Sequence, residues 1–238
     1  MERPKLKRIL LKLSGTVLAG SDGKGIDPTA VAAVAEIIKD AKASGVEIAI
    51  VNGGGNLFRS RQVSGSNMRR VYADSVGMIG TMMNAISLQD LLQQAGVETV
   101  VHSSVEVGGI VRPFIISEAQ SDLAAGKVVI ICGGTGHPFF TTDTAAVLRA
   151  LEINADAVLK ATDVDGVYDD NPKENPEAKL FPEVSFTEVL ERKLKVMDAT
   201  AFALAQENEL PIVVFNFSKA GALKDVLSGK PVGTLVHP

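Results

Sequence analysis

The chain predicts an α/β protein of three layers, αβα, with helices on both faces of a central, mainly parallel sheet. Three features say so. Ile9-Leu10-Leu11, Ile48-Ala49-Ile50-Val51 and Val128-Val129-Ile130-Ile131 are apolar without alternation, as strands buried on both faces are. Helical spacings separate these runs, opened by residues that cap helix starts and closed by glycine. Glycines and polar residues then gather just beyond the strand ends, most visibly at Asn52-Gly53-Gly54-Gly55-Asn56 and Cys132-Gly133-Gly134-Thr135-Gly136. Open α/β sheets bind ligands at that edge, and glycine there lets backbone amides approach an anion closely.

Residues 8–13 read as the first strand. Asp27-Pro28 opens a helix in the expected order, N-cap and then proline at the first helical position. Val31, Val34, Ile37, Ile38 and Ala41 give that helix an apolar face, and Gly45 ends it. Residues 46–51 are a strand and residues 72–95 a long helix rich in Met and Ala, ended by Gly96. A strand over 97–101 and a helix over 115–125 follow. The second half repeats the pattern with strand 127–131, helix 143–153 and strand 157–160. Ser185-Phe186-Thr187-Glu188 is a capping box. Helix 198–209, strand 212–215, a short helix over 223–227 and a terminal strand over 233–236 complete the order. Residues 169–182, with Pro172, Pro176 and Pro182, read as one long loop, a lid or a docking surface. No solenoid period or low-complexity linker interrupts the chain, so residues 1–238 are expected to form one unit. An N-terminal lobe of residues 1–155 and a C-terminal lobe of residues 156–238 would share the sheet.

Composition narrows the function classes. At 238 residues and 46% hydrophobic content the chain can bury a substantial core. A formal net charge of −4 gives no support for a nucleic-acid or anionic-membrane partner. The basic residues are scattered apart from one cluster, Arg59, Arg61, Arg69 and Arg70. A single cysteine, Cys132, excludes an intrachain disulfide; in its apolar strand it reads as a small core residue. No apolar run is long enough to span a bilayer, and Met1-Glu2-Arg3-Pro4-Lys5 has no hydrophobic region behind its charges. A cytoplasmic protein is the expectation.

Residues able to do chemistry sit at the strand ends. Lys12, in Lys12-Leu13-Ser14-Gly15, lies inside an apolar strand, where an ammonium needs an anionic partner or a route to water. It reads either as a fixed cation against a transferring phosphoryl group or as an edge-strand lysine reaching into solvent. Gly53-Gly54-Gly55-Asn56 is followed one turn on by Arg59. Residues 133–143 offer hydroxyls and small residues to a sugar, base or phosphate, with Phe139 or Phe140 as apolar walls. Asp143 also reads as ordinary N-capping in Thr141-Thr142-Asp143. There is no P-loop, and the signature elements of protein kinases are missing. His102, His137 and His237 have no metal-ligand spacing, so no protein metal site is expected.

Together these pieces match a family. Lys12-Leu13-Ser14-Gly15, Gly53-Gly54-Gly55-Asn56-Leu57-Phe58-Arg59, Gly134-Thr135-Gly136, Pro138-Phe139-Phe140-Thr141-Thr142-Asp143 and Leu159-Lys160-Ala161-Thr162 resemble the bacterial uridylate (UMP) kinases of the amino acid kinase superfamily. Asp165-Gly166-Val167-Tyr168 and Leu194-Lys195-Val196-Met197-Asp198 continue the resemblance in order, so that it covers essentially the whole chain. It implies an amino acid kinase-like fold and Mg²⁺-dependent transfer of the ATP γ-phosphoryl group to UMP, giving UDP and ADP in pyrimidine nucleotide biosynthesis. Lys12, Asp143 and Asp198 would be catalytic, with Asp143 orienting Lys12. Lys12, Leu13, Ser14, Gly15, Gly55, Arg59, Thr162, Tyr168 and Asn171 would serve ATP. Gly54, Asp74, Thr135, Gly136, His137, Pro138, Phe139, Phe140, Thr141 and Thr142 would serve UMP. Gly20, Ser21, Asp22, Gly23, Lys24 and Gly25 align with a segment tied to GTP activation, though they also read as a flexible loop. UTP would be the inhibitor, and a homohexamer the assembly. In support, Met78-Ile79-Gly80-Thr81-Met82-Met83 carries more apolar surface than one core-facing stripe needs, unless that helix is buried on two sides.

The chain departs from the family at three positions. His137 stands where Asn is usual, Asn171 where Asp before proline is common, and Thr16 where Glu follows Ser-Gly. Imidazole still donates or accepts, and Asn171 keeps an oxygen acceptor while losing a charge. Two other functions use the same pieces: a kinase of this fold acting on a carboxylate or carbamate, and a nucleotide sensor without turnover. An acid at Asp198, where the carboxylate kinases tend to have a second lysine, argues against the first. The presence of Lys12, Asp143 and Asp198 argues against the second.

Overall fold

The computed structural model describes residues 6–59 and 67–238; residues 1–5 and Arg61 of the arginine cluster lie outside it. Its strands are β1 (Arg8–Leu13), β2 (Glu47–Asn52), β3 (Thr99–Ser103), β4 (Arg112–Pro113), β5 (Val128–Cys132), β6 (Ala157–Thr162), β7 (Val167–Tyr168), β8 (Leu180–Phe181), β9 (Glu183–Ser185), β10 (Ile212–Asn216) and β11 (Thr234–His237). Its helices are α1 (Pro28–Lys42), α2 (Arg70–Gln94), α3 (Ile116–Ala124), α4 (Thr142–Glu152), α5 (Phe186–Glu191), α6 (Ala199–Glu207) and α7 (Ala222–Leu227). Nine strands form one sheet in the order β4-β3-β5-β2-β1-β6-β10-β11-β9, and only β10 and β11 run antiparallel to each other.

Two apolar layers sandwich this sheet. Ile9, Leu11 and Leu13 face α1, α2 and α7 through Val34, Ile38, Leu88 and Val226. Leu10, on the opposite pleat, faces the other layer, which is built by α3, α4, α5 and α6 through Leu123, Ala146, Phe186 and Phe202. Truncating Leu10 or Leu11, both fully buried, to alanine would cost about 2–5 kcal/mol.

Local signals explain most element ends. The Asp27 carboxylate accepts from the amides of Thr29 and Ala30 at 2.7 and 3.0 Å, and the Ser185 hydroxyl accepts from Glu188 at 3.1 Å. Two strands start later than their apolar runs, for one reason. After α2 the amide of Val97 bonds to the Leu92 carbonyl and that of Gly96, at φ +82°, to Gln93. Val97 has therefore spent its donor in the helix stop, and β3 begins at Thr99. Lys127 does the same after α3, bonding to Asp122, so β5 begins at Val128. The stretch 169–182, expected as one long loop, contains β8, which folds back antiparallel on β7. The short strands β4, β7, β8 and β9 have too few residues to show a period of their own.

Candidate active site

β1 is central, between β2 and β6, which sets aside an edge position for Lys12. Parallel pairing puts Lys12 in register with Lys160 of β6. Residues in register on neighbouring strands point to the same face, here toward α4. Asp143, in the first turn of α4, stands between the two ammonium groups: Oδ1 is 2.9 Å from Lys12 Nζ and Oδ2 is 2.9 Å from Lys160 Nζ. Lys160 also donates to the Val196 carbonyl. All three side chains are largely buried, at 14–15% exposure.

Burial alone would raise the Asp143 carboxyl, but Lys12 and Lys160 outweigh it and hold it below the usual carboxylate range. Burial pushes the Lys160 ammonium down; the attraction of Asp143 opposes this and the charge of Lys12 adds to it. Lys12 is thus an anchored cation that faces a cavity, with Asp143 fixing its direction.

That cavity, about 750 Å³, opens at the carboxyl ends of the central strands. Its floor is the glycine turn after β2. No acceptor among the described residues takes the amides of Gly54 and Gly55, so both are available to an anion. Gly54 lies hard against α2, where a Cβ would meet the Gly77 carbonyl oxygen at 2.8 Å and the Thr81 amide at 2.9 Å. Buried amides brace the turn. Asn84 donates to the Gly53 carbonyl at 2.8 Å and exchanges hydrogen bonds with Asn56. Asn56 in turn donates to the Gly25 carbonyl, which ties residues 20–25 to the turn. Arg59, Arg70, Ser14 and Gly15 complete this side, Arg59 donating to the Gly55 carbonyl at 2.8 Å.

The opposite wall is the loop between β5 and α4. Thr135, His137, Phe140, Thr141 and Thr142 line the cavity from it. The Phe139 amide donates to Asp74 at 2.9 Å, and Phe139 sits at φ +72°, a left-handed conformation unusual for an aromatic residue. Arg70 Nε donates to the same carboxylate at 2.9 Å. Asp74 is therefore engaged at the cavity edge, by these two donors at least. Asp198 N-caps α6 and accepts from the hydroxyls of Thr141 and Thr144, so it binds the start of α4 to the start of α6.

Of the residues expected at the site, most converge on this cavity, and some do not. Leu13 is wholly buried core, contributing its carbonyl to the Gly53 amide. Gly136, Pro138 and Phe139 shape the loop without lining the cavity. Thr162, Tyr168 and Asn171 lie outside it, at the end of β6, in β7 and in the following turn. The Thr162 hydroxyl is already used on the Val164 carbonyl at 2.8 Å, and the Asn171 side chain caps the Lys173 amide at 3.1 Å. Reading the sequence missed the part played by Lys160, although it carries the same signal as Lys12, a lysine in an apolar strand. Asn84 and Thr144 gave no signal, because isolated polar residues on helices are ordinary; Arg70 stood out only as a member of the basic cluster.

Among the described residues no group of three or more His, Cys, Asp and Glu could hold a metal ion. Asp74, Asp143 and Asp198, the carboxylates that line the cavity, are engaged by Arg70, lysines, threonine hydroxyls and backbone amides. Among the described residues the cavity lining offers one anchored ammonium, free glycine amides and two arginines.

A model of the amino acid kinase family matches residues 7–216. The uridylate kinase of Aeromonas hydrophila is 51% identical over 235 residues, spanning 99% of this chain and 96% of that protein. That of Vibrio vulnificus is 47% identical over 234 residues, covering 98% and 97%. Among solved structures, the UMP kinase of Bacillus anthracis superposes with a TM-score of 0.95 at 37% identity, covering 98% of this chain and 97% of that one. The uridylate kinase of Archaeoglobus fulgidus superposes with a TM-score of 0.72 at 26% identity, covering 96% and 99%.

Proposed function

The chain belongs to the amino acid kinase family, and we infer that within it this is a uridylate kinase, which transfers the γ-phosphoryl group of ATP to UMP and yields UDP and ADP in pyrimidine nucleotide synthesis. The observation that carries the reading is Asp143 clamped between Lys12 and Lys160, in a cavity that Gly54 and Gly55 also line with unpaired amides. In the transfer, an oxygen of the UMP phosphate bonds to the γ-phosphorus while the bond from that phosphorus to the bridging oxygen breaks, leaving ADP. The attacking oxygen is already anionic near neutral pH, so no base is required.

What the protein must supply is charge and placement. Two unit negative charges about 4 Å apart repel by about 4 kcal/mol at an effective dielectric constant of 20. Lys12 would lie against the transferring phosphoryl group, aimed by Asp143, with Lys160 balancing the buried carboxylate. Gly54 would hold the UMP phosphate, and Gly55, Arg59, Ser14 and Gly15 the donor phosphates. Residues 1–155 would bind UMP, with Asp74 exchanging a present partner for the ribose and Thr135–Thr142 wrapping the base. Residues 156–238 would bind ATP, with Thr162, Tyr168 and Asn171 on the adenosine side. Mg²⁺ would arrive on ATP and shield its phosphates, consistent with carboxylates that are all engaged.

The same reading includes GTP activation, UTP inhibition, a cytoplasmic location and a homohexamer. The hydrogen bond from Asn56 to Gly25 supports a link between residues 20–25 and the glycine turn. A coupled assay with Mg²⁺-ATP and, separately, UMP, CMP and acetylglutamate tests the assignment. UMP is expected to give the highest kcat/KM; turnover of acetylglutamate in its place would assign the chain to a carboxylate kinase, and tight UMP binding without turnover would make it a sensor.

A further inference from the structure

Over residues 133–139 the loop opposite the glycine turn hangs from four side chains among the described residues. Two belong to α2: the Thr81 hydroxyl accepts from the Gly133 amide at 2.8 Å, and Asp74 accepts from the Phe139 amide at 2.9 Å. The third is Arg149, two turns into α4, 6% exposed and outside the cavity lining. Its Nη2 donates both to the Ser104 hydroxyl at 3.0 Å and to the Thr135 carbonyl at 3.4 Å. Nη1 donates to Glu152, and the ring of Phe114 lies 4.4 Å from the guanidinium carbon. Ser104, the fourth, passes the connection on, its hydroxyl donating to the Gly134 carbonyl at 2.8 Å. Backbone packing closes the unit, since a Cβ on Gly136 would stand 2.8 Å from the Ser104 carbonyl oxygen.

We propose that Arg149 is a positioning residue for the acceptor: its fork holds Ser104 and Thr135 together and so sets the height of the Thr135–His137 edge over the cavity. This rests on the uridylate kinase reading and deepens it, because that edge would meet the pyrimidine and discriminate between UMP and CMP. The chemistry demands arginine. A planar guanidinium bridges two acceptors while stacking on a ring; an ammonium is a point charge that cannot do both. Glu152 neutralises the buried charge, so a role limited to stability would leave the kinetic constants of folded enzyme untouched.

The test is steady-state kinetics of the full chain with UMP and CMP at saturating Mg²⁺-ATP, and with ATP at saturating UMP. Wild type, Arg149→Lys, Ser104→Ala and the double variant are compared, with Phe114→Leu in reserve should Arg149→Lys fail to fold. Arg149→Lys is expected to raise the KM for UMP about tenfold, the usual effect of losing one charge-assisted hydrogen bond, and to narrow the preference for UMP over CMP. The KM for ATP should stay within about twofold, because the fork touches only the acceptor side. Ser104→Ala should reproduce part of the effect and add little to it in the double variant. An unchanged UMP KM and UMP/CMP ratio in active Arg149→Lys enzyme overturns the proposal alone, as does an equal rise in both KM values. Wild-type enzyme that fails to phosphorylate UMP overturns the functional reading and this proposal with it.

Discussion

Asp143 and its two lysines show how burial turns ordinary side chains into a tool. Water would cancel most of the attraction between these groups; at about 15% exposure it does not, and the ammonium of Lys12 is held in one direction. Lys12→Met should lower kcat about a hundredfold or more while changing the KM for UMP little, since the cation is proposed to act mainly on the transferring group. Rapid-quench turnover near the wild-type value would remove Lys12 from the mechanism. Acid stability follows from the same trio. The Asp143 carboxyl lies below its unfolded value of about 3.9, so its contribution is complete above that pH and lost as the pH falls through the folded value. Lys160 has the opposite sense: its lowered pKa means that charging it costs stability, a cost relieved only as the pH rises toward the ordinary lysine value. Asp143→Asn should therefore cost about 3–5 kcal/mol near neutrality and flatten the acid limb of the stability curve. Denaturant titrations from acidic through neutral to alkaline pH read these effects.

At the scale of elements, the site depends on how closely a turn and a helix approach. Gly54 presses on α2 at Gly77 and Thr81, and the neighbouring atoms are helix backbone, which cannot swing aside. Gly54→Ala must push the turn off the helix at a cost of about 1–3 kcal/mol. A fall in melting temperature of about 2–4 °C for each kcal/mol is expected. A higher KM for UMP should accompany it, because the displaced amides are those proposed to hold its phosphate. Loss of stability with an unchanged KM would detach this turn from acceptor binding. How helices stop was legible locally: Gly45, Gly96 and the Asp27-Pro28 start are short-range signals that tertiary contacts did not override. The strand starts after Gly96 and Gly126 were not, because only the backbone bonding shows that the next residue's donor is already spent.

Over the whole molecule, α2 has two unlike faces. Ala73, Met82, Ala85, Leu88 and Leu92 are buried, which excludes the helix buried on both sides within one chain, since Tyr72, Val76, Ile79, Met83 and Ile86 remain exposed. These five are spaced by alternating steps of four and three residues, the interval that keeps one helical stripe in line. Ile79 and Met83 are 47% and 49% exposed, more apolar surface than a lone helix face normally leaves to water. In the homohexamer proposed above, a second copy would cover this stripe. Light scattering should give a mass well above one chain for wild type, and a smaller particle for the Ile79→Glu, Met83→Glu double variant. A wild-type monomer at micromolar concentration would dismiss the interface.

From the residues alone came the layered class, the order of elements, the glycine turns and the set of motifs that identify the family, because caps, periods and turns act over a few neighbours. The pairing of Lys12 with Lys160 across Asp143, the commitment of Asp198 to two helix starts and the reach of Arg149 to Thr135 came only from the folded chain. The first two join segments distant in sequence, and the pairing of the lysines depends on the register of the sheet, which no local pattern encodes.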